Sequence, residues 1–225
     1  MKAGVTSMTF AQIAAAVRGC RAVPGRSRVV GVDGMSGAGK TGFAGRLAAE
    51  LDAPCLCTDD LVPGWDGLAE SVGLLVDWVL RPLAEGRLAR WQRYDWMAGR
   101  TGEWAELPGA DVVVVEGCCV GMPAAAAYLS YLVWVEAQPA ERRLRVERRD
   151  NWWFYAPFAD GWSRQESALQ AGSRAGERAD VVIDNSTPRA GGSWPDTFAV
   201  RPVIRRSAAA AAPGSPSASA SADSR

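Results

Sequence analysis

Gly34-Met35-Ser36-Gly37-Ala38-Gly39-Lys40-Thr41 matches the pattern GxxxxGK[ST] at every fixed position. It follows Arg28–Asp33 (RVVGVD), a short β-rich run, and precedes Gly42–Leu51, where apolar residues recur at helical spacing. Strand, glycine loop and helix together make a phosphate cradle. Loop amides close around phosphate oxygens, the helix N-terminus adds partial positive charge, Lys40 reaches the terminal phosphates, and Thr41 can hold Mg²⁺. ATP with Mg²⁺ is the expected cofactor, bound by Gly34, Ser36, Gly37, Ala38, Gly39, Lys40 and Thr41.

Outward from this stretch, apolar runs bounded by turn signals lie at Pro54–Thr58, Val112–Glu116, Tyr131–Glu136 and Asp180–Asp184. They are apolar on both faces, as strands of a parallel sheet covered on both sides tend to be. Helical patterns fall between them, at Gly67–Glu85, Ala124–Leu129, Ala140–Asp150 and Ser163–Ser173. The alternation predicts an α/β three-layer sandwich around a five-stranded, mainly parallel sheet. An amphipathic opening helix is expected over residues 8–19, before the breaker Val23-Pro24-Gly25. Beyond Ser186 the pattern fades, which predicts a single domain over 1–187 and a C-terminal extension over 188–225. Ser207–Arg225 lacks core-forming residues and is expected to be disordered.

Composition narrows the chemistry. A chain of 225 residues can bury roughly 70% of its unfolded surface in one core. A net charge of +0 leaves no basic excess for a polyanion, so nucleic acid is not an expected partner. With no histidine at all, Ser-His-Asp catalysis, histidine bases and imidazole zinc sites are excluded, and acid–base work falls to carboxylates. Lysine occurs only at Lys2 and Lys40, the latter inside the loop, where a compact point charge suits phosphate. The cysteines, five in number and without a CxxC pair, argue against a disulfide framework. Met1–Cys20 shows no unbroken apolar stretch, so a reducing cytoplasm is the expected compartment. Val112–Val135 is apolar enough to suggest a membrane span, but Glu116-Gly117, Gly121 and Pro123 interrupt it; no membrane partner is expected, and self-association stays open.

Cys57-Thr58-Asp59-Asp60-Leu61 ends the second strand with paired carboxylates at the sheet edge where such folds bind ligands. Asp59 or Asp60 is the natural group to accept a hydroxyl proton or to hold a metal's waters; a helix cap or turn pair is the competing reading. Glu116 closes an all-valine strand beside the loop, as a metal contact requires, unless it is a surface-edge glutamate. Arg142, Arg145 and Arg149 recur on one helical face that either closes over phosphates or is simply solvated and paired with Glu141 and Glu147. Trp65, Trp91, Trp96 and Trp104, with Trp152, Trp153 and Trp162 further on, suit an aromatic pocket or ordinary packing.

The ordered set GMSGAGKT, TDDL, RYDW, VVVVEG, an arginine helix ending in RRD, and ADVVID resembles the uridine kinase and phosphoribulokinase branch of P-loop kinases, over about Arg28–Asn185. The resemblance implies a P-loop NTPase fold and ATP-dependent phosphorylation of a small-molecule hydroxyl acceptor, a nucleoside first of all. It places Asp59 as catalytic base at the head of D-x-[FL] and Glu116 at the acidic position after the third strand, and carries Lys40 and Thr41 over directly; taken with the residues' own reading, Lys40, Arg145 and Arg149 are expected in catalysis and Thr41, Asp59 and Glu116 at the metal. On the acceptor side the resemblance points to Asp66 as similar to the ribose-binding aspartate, to Tyr94 as similar to a pocket tyrosine, and to Trp96 where a phenylalanine is usual, while Asp60 is expected at the substrate from its place beside Asp59. Gly99 stands where the family reads the base with histidine. The rival expectations are a non-nucleoside acceptor, such as a pantothenate-like compound, a sugar or a specialised metabolite, and an ATP-binding regulator or ATPase.

Overall fold

The computed structural model describes residues 6–20, 27–107, 109–187 and 194–201. The chain opens with β1 (Thr6–Thr9) and switches at Thr9 into α1 (Phe10–Gly19). The Gln12 N–H donates to Thr9 Oγ1 at 3.2 Å, while the Thr9 N–H donates back to the Gln12 side chain at 2.9 Å. That reciprocal cap fixes the helix start. The helix expected over 8–19 therefore begins at Phe10, and Met8 is a strand residue.

β2 (Arg28–Asp33) leads through the glycine loop to α2 (Lys40–Leu51), and β3 (Cys55–Cys57) ends in a 3₁₀ turn over Thr58–Leu61. The helix expected over 67–85 is present as α3 (Leu68–Leu74), a π turn (Leu75–Leu80) and α4 (Arg81–Ala84). β4 (Ala89–Asp95) and β5 (Arg100–Leu107) then form an antiparallel hairpin outside the main sheet. Gly99, in the connecting turn, has φ 63° and open space around a notional Cβ, so backbone conformation rather than room favours glycine there. There follow β6 (Val112–Glu116), α5 (Pro123–Ala126), β7 (Tyr131–Glu136), α6 (Pro139–Glu147), α7 (Trp152–Tyr155), α8 (Ala159–Ser173), α9 (Ala175–Arg178), β8 (Val181–Asp184) and β9 (Thr197–Arg201).

Seven strands form one sheet in the order β1-β9-β8-β7-β2-β6-β3. The five expected strands are all present and parallel, with β2 central between β6 and β7. Two antiparallel strands, β9 and β1, extend the β8 edge. The folded body therefore continues past the boundary expected at 187: Trp194, Phe198 and Val200 are buried in the core. Ser207–Arg225 lies outside the described residues.

Helices cover both faces. On one, Ile13, Val17, Phe43 and Leu47 pack with Val30, Val114 and Val133, and the rings of Phe10, Phe43 and Phe198 meet at 4.9–5.4 Å. On the other, Leu75, Val79, Leu80 and Leu83 pack against Val113 and Val115 and against Trp91 of the hairpin. Burying both faces explains why the strands read as continuous apolar runs. A smaller cluster of Val62, Leu68, Cys118, Cys119 and Trp162 sits at the carboxyl ends of the central strands, underneath the candidate site. Among the described residues no helix is long and apolar enough to cross a membrane.

Candidate functional site

At the carboxyl end of β2 the backbone leaves the sheet through Gly34 and wraps round to α2. Gly37 has φ 78°, and a Cβ there would run into the Arg142 carbonyl. Only glycine lets the loop approach α6 this closely. Asp33, fully buried, fixes the start of the loop: its carboxylate accepts from the N–H of Gly34 at 2.6 Å, Cys119 at 3.1 Å and Gly121 at 2.8 Å. Burial raises its pKa even against these bonds and the charge of Lys40. At the far end, Asn185 Nδ2 donates to the Ala38 carbonyl at 2.7 Å, and Trp194 Nε1 donates to Gly39 O at 3.2 Å. The loop is thus tied down by β2, the segment after β8, and Trp194.

Lys40 opens α2 and is 8% exposed; its Nζ donates to Met35 O at 3.3 Å and to Cys118 Sγ at 3.4 Å. Burial by itself would lower the Lys40 pKa, but Cys118, Glu166, Glu116 and Asp59 face it and hold the ammonium above its ordinary value. Glu116, at the end of β6, is 2% exposed and bonds the side chains of Cys57 and Thr41. Its Oε1 has no hydrogen-bond partner. Desolvation raises the Glu116 pKa, opposed by the Cys57 bond and by Lys40.

Asp59 lies in the 3₁₀ turn after β3. Its surface is open to solvent, but protein crowds it on the cleft side, and this desolvation raises its pKa; Lys40 and Arg149 pull the value down, while Glu166 and Asp60 push it up. Asp60 is engaged elsewhere, in an ion pair with Arg93 of β4 at 3.1 Å. Around Asp59 stand two aromatic residues: Trp96 Nε1 donates to the Asp59 carbonyl at 3.1 Å, and Tyr94 packs edge-on to Trp96 at 5.1 Å. Trp65 is the hub, stacked on Phe158 at 4.3 Å and tilted against Trp96 at 4.8 Å. Asp66 follows it, exposed.

The three arginines have different surroundings. Arg142 Nη1 donates to Ser36 O at 3.1 Å, and Arg145 binds Glu141 at 2.8 Å and the Asn185 carbonyl at 2.8 Å, with a buried Nη1 that has no partner. α6 ends at Glu147, so Arg149 sits in the following turn, exposed and close enough for its charge to act on Asp59. A cavity of about 380 Å³ opens between Ser36, α6, and the α7–α8 segment.

The site therefore brings together Lys40, Thr41, Asp59, Glu116 and Arg149, with Trp96 and Tyr94 beside them, and turns Asp60 toward Arg93. Sequence reading missed Asp33, Cys118, Asn185 and, above all, Glu166. Glu166 is 2% exposed, and its Oε1 accepts from Ser36 N at 2.9 Å, Ser36 Oγ at 2.7 Å and Cys118 Sγ at 2.7 Å. The available signal was a glutamate four residues after Trp162, on the buried face of a helix.

This geometry is a three-layer α/β fold: a mainly parallel sheet, helices on both faces, and a glycine loop after its central strand. Solved structures share it. A possible uridine kinase from Bacillus stearothermophilus is 18% identical, with a TM-score of 0.57 over 77% of this chain and 96% of that one. A protein provisionally assigned as a fructose transport system kinase from a Silicibacter species is 22% identical, with a TM-score of 0.52 over 76% and 95%. No family model matches the sequence, and neither does any curated protein.

Proposed function

We propose that this protein transfers the terminal phosphate of ATP to a hydroxyl group of a small molecule. The observation that carries this reading is the convergence of Asp59 and Glu116 on Lys40 at the phosphate loop, from three different strand ends. A binding module without chemistry has no need of a carboxylate on the acceptor side of the loop. Lys40 and the loop amides hold the phosphates, Asp59 orients the attacking hydroxyl and accepts its proton, and Arg149 offsets the charge that develops during transfer. Asp59 suits this role better than Asp60, which is tied to Arg93.

Among the described residues no group of three or more carboxylates and thiols forms a metal cage. Mg²⁺ in such enzymes is held by one or two protein oxygens together with the nucleotide's phosphates, and the unpartnered Glu116 Oε1 beside Thr41 fits that need. Mg²⁺ there would neutralise phosphate charge.

The acceptor of first choice is a nucleoside, by likeness to the Bacillus structure. Two observations favour a non-nucleoside hydroxyl compound: Gly99 is a turn residue, and the rings of Trp65, Tyr94 and Trp96 lie in contact with one another or with Phe158. A screen of nucleosides, sugars and other hydroxyl compounds for an ATP-dependent mass gain of one phosphate tests both. Lys40→Ala should abolish every such product while circular dichroism stays unchanged; undiminished transfer by that variant sinks the mechanism.

A further inference from the structure

The buried carboxylate of Glu166 has no part in the transfer described above, yet it rests directly on the phosphate loop. It belongs to α8, and nothing in the folding of that helix requires a charge at this point. Trp162, one turn earlier, already ties α8 to the loop by donating from Nε1 to Ser36 Oγ at 3.2 Å. What Glu166 adds is an anion. Its Oε1 takes the Ser36 N–H at 2.9 Å and the Ser36 hydroxyl at 2.7 Å, and the Cys118 thiol that donates to it at 2.7 Å is itself 3.4 Å from Lys40 Nζ. The carboxylate thus lies at the Lys40 end of the loop, the end that meets the terminal phosphates.

We propose that Glu166 is an internal stand-in for phosphate: its carboxylate and the terminal phosphate of the nucleotide compete for the same donors of the loop, and the side chain thereby lowers the preference for triphosphate over diphosphate. The proposal rests on the nucleotide-binding reading of the loop. Two physical facts make joint occupancy unfavourable. The Ser36 N–H can serve one acceptor well, and a carboxylate beside a phosphate is a like-charge contact in a partly desolvated cleft. Displacement has somewhere to go, because Glu166 lines the cavity of about 380 Å³ between α6 and the α7–α8 segment. The arrangement also gives Lys40 a nearby negative partner.

The test compares dissociation constants of a non-hydrolysable ATP analogue and of ADP, each with Mg²⁺, for the full chain and for Glu166→Gln. The amide keeps the oxygen that accepts from Ser36 and removes the charge. Expected is a gain of about tenfold in triphosphate affinity, the size of a like-charge contact in a half-wet cleft, with ADP changed by less than about threefold. A purely structural Glu166 would move both nucleotides together, and equal changes overturn the proposal, as does weaker triphosphate binding. If the amide variant melts early, Glu166→Asp carries the same test: its arm is one carbon shorter, and the triphosphate-to-diphosphate ratio should again rise. An unaltered ratio there refutes the displacement. Failure of the unsubstituted protein to bind either nucleotide would remove the nucleotide site itself and the proposal with it, which differs visibly from binding that Glu166 does not influence.

Discussion

Replacing Phe198 by alanine tests whether the strand that sequence patterning left outside the domain is part of its core. Phe198 is 4% exposed and lies 4.9 Å from the Phe10 ring, 5.4 Å from Phe43 and 6.0 Å from Trp194. Truncating a buried phenylalanine costs about 3–5 kcal/mol, and loss of edge-on ring contacts on three sides argues for the upper half, about 4 kcal/mol. For a domain of this size, each kcal/mol moves the melting temperature by roughly 2–4 °C, so a fall of roughly 8–16 °C is expected. Calorimetry or far-UV circular dichroism reads it. Thr197→Ala, at the exposed neighbouring position of the same strand, should stay within about 0.5 kcal/mol of the parent and controls for strand propensity. A Phe198→Ala drop below about 2 °C would refute the packing of β9 onto α1 and α2.

Three further outcomes follow from the carboxylates. Asp59→Asn should lower transfer by roughly 10²–10⁴-fold, the usual contribution of a positioned base, with substrate binding little changed. Because desolvation raises the Asp59 pKa, the acid limb of the rate profile in the parent should lie above the ordinary aspartate value of 3.8, with activity rising as pH increases through it; a limb at or below 3.8 would count against Asp59 as the base. Glu116 is also raised by burial, so the folded state binds its proton more tightly than the unfolded chain. Its contribution makes stability fall as pH rises from the ordinary glutamate value of 4.5 through the raised one, and Glu116→Gln should flatten that slope in pH-dependent melting curves; an unchanged slope contradicts the buried, partnerless oxygen.

The parallel core and the glycine loop between β2 and α2 were legible because their signals are local. An apolar run of five or six residues ending at a glycine or a carboxylate is complete within itself, and the loop motif needs only its flanks. β9 and β1 were illegible for the opposite reason. Thr197–Arg201 alternates weakly and is defined by its partners, β8 and β1, the latter nearly two hundred residues away in the chain. The hairpin of β4 and β5 hid differently: its strands are half-exposed and rich in arginine and glutamate, so burial supplies little periodicity, and the alternation of Ala89 and Trp91 inward is brief.

Within the site, residues at strand ends could be read and residues on helices could not. Asp59 and Glu116 sit where every strand of such a sheet delivers its last side chain, so position along the sequence implies position in space. The arginines of α6 show the limit of spacing arguments: i, i+3 and i+7 put Arg142, Arg145 and Arg149 on one face only while the helix lasts, and it ends at Glu147. What each guanidinium does was then decided by partners no spacing reveals, the Ser36 carbonyl for Arg142, Glu141 and the Asn185 carbonyl for Arg145, and the field of Asp59 for Arg149. Glu166 carries this furthest. A charged residue on the buried side of an otherwise packed helix is costly wherever it lies, so its presence implies a partner before that partner is known. The fold supplies it in Ser36, 130 residues away in sequence, and joins α8 to the glycine loop. Through Glu166 and Trp162, α8 touches Ser36 of the glycine loop on one side and the ring of Trp65 on the other, so one helix carries contacts that lie 130 and 126 residues along the chain from the loop they meet.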